Sequence, residues 1–242
     1  MLFRHRSLAW RGLVPALIVL VVAVVITLLD HEYGDGDDVI RRYYAIATAA
    51  ASIPSVVFAN SYARLAAEAH ARLGFGERSP LLTRLWSRLV HAARAAILIS
   101  IAIAPLLPIL RRVPAGGDAL IFAATGMWTL HWIVVEALDN ARVAGAAVAP
   151  SGTPWFVAWA VAPAVQRIPV VRRPLGWFAR LVTRLSRPWL EETALVARHP
   201  AIALGMGATA ALLLAVPIAN LLLRPAILIG AVHLRARWSE SS

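Results

Sequence analysis

The stretch "AVPIANLLLRPAILIGAVHL", residues 215–234, is too apolar for the surface of a soluble domain, yet it holds Pro217, Asn220, Arg224 and Pro225. In lipid the arginine and the asparagine are costly, and each proline removes a helical donor. The stretch belongs to a mostly apolar run, residues 201–234, that is far longer than the ~20 residues needed to cross a bilayer core of ~30 Å. The pattern therefore predicts two helical arms divided at Pro217 and Asn220, a helix hairpin over 199–236 that turns between Pro217 and Pro225. The prolines would leave the carbonyls of Leu213 and Leu221 without donors, and Asn220 and Arg224 are donors four residues apart, on one side of a helical turn. Two readings stand. The pair caps broken helix ends inside the protein, or it forms part of an anion path with backbone groups freed at membrane depth.

The rest of the chain is of the same kind. It has 242 residues, is 60% hydrophobic and 15% charged, and has a mean hydropathy of +0.68. These values lie outside the range of ordinary soluble domains, so the expected fold class is an all-α, polytopic integral membrane protein. All 24 basic residues are arginine, and the net charge is +11. In so apolar a chain this excess points to loops facing an anionic cytoplasmic leaflet and away from nucleic acid. The absence of cysteine excludes disulfides, thiolate metal sites and a cysteine nucleophile.

One membrane domain over 1–242 is expected, in four parts. Residues 1–73 hold two long helices. The first follows Arg4, Arg6 and Arg11, spans 12–29 and ends at the acidic "DHEYGDGDD", which places the N-terminus in the cytoplasm. The second runs from about Val39 to Asn60 and is expected to continue as one helix through "SYARLAAEAHARL", which leaves the bilayer on the cytoplasmic side. A first hairpin covers 92–141, its turn marked by Pro105, Pro108, Pro114, Gly116 and Gly117. Its feet are basic, so it enters from the cytoplasm, and crossing fully or halfway both remain open. Residues 150–190 form an interfacial segment: Leu175, Phe178, Leu181, Val182 and Leu185 make an apolar stripe, with Arg180, Arg184 and Arg187 opposite and Trp177 and Trp189 nearby. That pattern predicts an amphipathic helix lying in the membrane interface. The second hairpin ends in "RARWSESS", which puts the C-terminus in the cytoplasm as well.

Other constellations are fewer. Glu136, Asp139 and Asn140 share a helical face. They are read as partners of loop arginines, with proton or cation binding the alternative. His131, between Trp128 and Trp132, is read as a packing residue. Ala201 with Gly205, and Ala226 with Gly230, are small-residue pairs that let helices approach closely. His31-Glu32 lacks the second histidine of a zinc-protease helix, and there is no nucleophile elbow, phosphate-binding glycine loop or metal-spaced set. No enzyme, metal or cofactor is expected.

The stretch 215–234 resembles the closing hairpin of the CysZ-like sulfate-transporter family, which also includes etoposide-induced membrane proteins. The matched residues are Pro217, Asn220, Pro225, Gly230 and Ala231. The segment "WTLHWIVVEALDN" is similar to a second stretch of that family through Glu136, Leu138 and Asp139, and Pro15 sits where the family's first span carries a proline. The resemblance implies an oligomeric bacterial inner-membrane protein with two long helices and two hairpins, and sulfate uptake as its activity. The chain departs from the family in two places. The stretch before the first span reads "FRHRSLAWRGLVP", in which Arg4, Arg6, Arg11 and Gly12 are the nearest candidates for anion contact. The segment 143–190 is longer than the family's usual connection. The expected function is an anion channel or permease for a sulfate-like oxyanion. The alternative is a non-transporting scaffold that shapes the membrane or holds a partner. Membrane lipids, a small inorganic anion and further copies of the chain are the expected partners.

Overall fold

The computed structural model describes residues 57–101, 116–145, 169–215 and 217–240, with a few single positions outside these ranges. Among the described residues the chain is helical and no strand forms; Pro80 and Val143 meet in an isolated antiparallel bridge. The helices are α1 (Ala59–Arg72), α2 (Leu85–Ile101), α3 (Gly117–Asn140), α4 (Pro169–Ser186), α5 (Leu190–Arg198), α6 (Pro200–Ala215) and α7 (Pro217–Glu240), with a short 3-10 turn at Arg187–Trp189. By length and composition α3 can cross a membrane, and Leu175–Arg198 with Pro200–Leu213 passes the same measure when taken as one path bent by 110°. The chain thus has one or two helices of that kind among its described residues.

Where the sequence suggested one domain, contacts group the chain into two compact units. The first comprises Met1–Leu89, Asn140–Ala146 and Thr209–Ser242, and the second Val90–Asp139 and Ala147–Ala208.

In the first unit α1 packs along α7. Alanine at 59, 63, 66, 67 and 69 is buried, so α1 presents a low surface to its partner, and Tyr62 and Leu65 fill the space between small neighbours. The expected continuous helix from residue 39 onward is corrected at its end. Residues 39–56 lie outside the described residues, and α1 has its own start: Phe58 is a turn residue, and its carbonyl accepts the first helical bond from the Tyr62 N–H at 3.0 Å. Leu65 and Ala66 at its centre are fully buried. Its last turn closes on Gly74, whose φ of 87° is strained for any other residue. The chain then turns back, so that Phe75 lies 5.5 Å from the His70 ring and 5.9 Å from that of His233 on α7.

The break before α7 also needs a correction. Residues 217–225 form no turn: α7 begins at Pro217 and stays helical through Pro225 to Glu240. Pro217 stands at the first helical position, where its missing N–H costs nothing. Pro225 does remove a bond from the helix interior, and its ring is buried.

In the second unit the amphipathic pattern of α4 is realised, but its cover is not the expected one. Leu175, Phe178, Ala179 and Val182 are buried by the protein itself. An apolar stripe covered in this way cannot also insert into lipid, so the expected insertion of this face into the membrane interface is corrected. Pro188 and Trp189 then turn the chain into α5. At its end His199 donates to the carbonyls of Leu195 and Val196 at 3.2 and 3.3 Å, tightening the last turn. Pro200, which has no N–H to continue that ladder, opens α6 in a new direction. α6 meets α3 through Ala203 and Gly207; a Cβ on Gly207 would lie 3.0 Å from the Leu130 carbonyl oxygen. The small-residue contact is therefore real but displaced: Gly205 and Gly230 face open space instead.

Candidate functional site

Two groups of buried polar side chains stand out among the described residues, one in each unit. In the first unit Tyr62 stands in the opening turn of α1, where the short alanines around it leave room for its ring, and it is 4% exposed. Arg224 lies on α7 directly before Pro225 and is half-buried. The Tyr62 hydroxyl and the Arg224 Nη1 are both buried and have no hydrogen-bond partner among the described residues. They are close enough for the guanidinium charge to act on the phenol. Buried donors are rarely left in this state, because each loses its hydration for nothing in return. Two donors, one of them cationic, can serve an acceptor-only ligand such as an oxyanion.

In the second unit His91 on α2 faces Asp139 near the end of α3, with Nε2 2.8 Å from Oδ2. The carboxyl group is 8% exposed and the imidazole 27%. The carboxylate accepts and so fixes the hydrogen on Nε2. The imidazole also lies 4.1 Å from the Trp189 ring, which is 5.7 Å from Trp132; Trp128 and His131 continue the cluster at 5.6 and 5.5 Å from Trp132. Beside His131 a cavity of about 260 Å³ opens between α3 and the bend from α5 to α6, lined mainly by Leu130, Val134, Val196, Ala203 and Leu204. Its walls are apolar apart from the imidazole, which suits no anion. No group of three or more metal-ligating side chains occurs among the described residues.

Few of the expected site residues are brought together. Arg4, Arg6, Arg11 and Gly12 lie outside the described residues, as does the turn at Pro105, Pro108 and Pro114. Pro15 is helical and buried. Pro217 and Asn220 are helical in α7, with side chains outside the described residues. Arg224 does not cap a broken helix end, because the helix around it is not broken. Glu136 and Asp139 differ in burial: Glu136 is exposed, whereas Asp139 is buried and meets His91.

Tyr62 and His91 escaped the sequence reading, and Trp189 was read only as a neighbour of the interfacial helix. Each left a faint signal: a lone large aromatic in an alanine-rich helix, a histidine entering an apolar run, and a tryptophan fixed by the preceding proline. Comparison with family models, with curated proteins and with solved structures finds no match to this chain.

Proposed function

We propose that the chain is a multi-pass helical protein of a bacterial inner membrane, with both termini in the cytoplasm, that conducts a small inorganic oxyanion such as sulfate. One observation carries this reading: Tyr62 Oη and Arg224 Nη1 are both buried where α1 packs on α7, without a hydrogen-bond partner among the described residues. A guanidinium offers two parallel N–H bonds to a tetrahedral oxyanion, and the phenol adds a third donor of fixed direction. Arg224 also belongs to the stretch that resembles the CysZ-like closing hairpin, and the apolar α3 supports the membrane setting. Small inorganic anions and further copies of the chain are the proposed partners.

The test is flux of labelled sulfate into liposomes containing the purified chain. Arg224→Gln is expected to lower the rate about tenfold or more, the equivalent of about 1.4 kcal/mol. Folded protein that raises flux no higher than empty liposomes do would remove the transport reading and favour a membrane scaffold.

A further inference from the structure

We propose that the outer face of α4 binds the anionic phosphate headgroups of the surrounding bilayer, a reading that rests on the membrane setting proposed above. Arg173, Arg180 and Arg184 recur at seven and four positions, which at about 100° per residue keeps them within about 40° of one another around the helix. Arg187, in the 3-10 turn that follows, extends the row. All four are exposed, and among the described residues none has a hydrogen bond or an ion pair.

The row runs opposite the buried stripe of Leu175, Phe178 and Val182, so packing inside the protein turns it outward. Trp177, within the row, is 59% exposed. A solvated helix face normally mixes both signs of charge. Here the whole of 140–190 holds seven arginines and no acidic residue. Like charges so spaced repel unless an outside anion compensates them. Arginine binds phosphate through paired N–H bonds, tryptophan settles at headgroup depth, and a row of basic groups is drawn to an anionic leaflet. The helix sequence read as inserting its apolar face thus presents its charged face to the lipid instead.

The experiment mixes the detergent-purified full chain with equal phosphatidylglycerol and phosphatidylcholine, repurifies it, and weighs the retained lipids by mass spectrometry. Wild type is expected to keep phosphatidylglycerol in preference. The variant with Arg173, Arg180, Arg184 and Arg187 all changed to Gln is expected to lose about tenfold or more of that preference, and the all-Lys variant to retain most of it. Thermal unfolding checks that the exposed substitutions leave the fold intact. Equal preference in the Gln variant would show a merely solvated face and overturn the inference, as would tighter binding of a single-stranded RNA than of phosphatidylglycerol vesicles. Retention of both lipids without preference overturns the headgroup site and leaves the membrane setting standing, whereas retention of neither, with no partition into vesicles, overturns both.

Discussion

The α1–α7 packing of the first unit and the His91–Asp139 pair of the second bury polar atoms to opposite ends. In the pair a carboxylate meets an imidazole at 2.8 Å, and the Trp189 ring lies against that imidazole with Trp132 behind it. Along α7 a phenol and a guanidinium nitrogen are buried with nothing to bond among the described residues. The first arrangement holds the fold together. The second costs stability, and under the proposed function it serves a bound anion. Substitutions that separate stability from binding test this contrast. Trp189 should give the largest effect. It is 1% exposed and touches both His91 and Trp132. Trp189→Ala is expected to cost about 3–5 kcal/mol, read as a lower midpoint of unfolding in detergent.

A smaller loss is expected where the pair itself is cut. Asp139→Ala leaves the His91 N–H without its acceptor in a half-buried place, at about 1–3 kcal/mol. His91→Phe in the same background should recover part of that loss, since no donor then remains to satisfy. A double-mutant cycle on His91 and Asp139 measures the coupling; a value near zero would mean that the two meet without holding the unit together.

What the sequence made legible, and what it hid, follows from which contacts are local. The apolar run at 119–138 became α3, and the arginine-opposed stripe of Leu175, Phe178 and Val182 became the buried face of α4. Periodicity tells which face is apolar, yet it does not tell whether lipid or protein covers it, and α4 went the second way. Proline gave a similar half-truth. Pro217 and Pro200 both start helices, as a missing N–H allows, whereas Pro225 was expected to stop one and sits inside α7. The site residues were hidden because their partners are distant in sequence. His91 and Asp139 are 48 positions apart, and Tyr62 and Arg224 stand on helices from opposite ends of the chain that pack together. No spacing rule reaches that far.

The smallest expected change in stability is also the most informative. Tyr62→Phe removes a buried hydroxyl that bonds to nothing among the described residues, and it keeps the ring that fills the space beside α7. Deleting a partnered hydroxyl would destabilise. Deleting this one should leave the unfolding midpoint unchanged or raise it, by less than about 1 kcal/mol, because a group buried at a loss is returned to an apolar surface. Sulfate flux should fall all the same if the phenol donates to the passing anion. Lower stability with unchanged flux would mean that the hydroxyl has a structural partner, and the contrast between the two units would dissolve. Unchanged stability with reduced flux would separate the donor's role in binding from any role in folding.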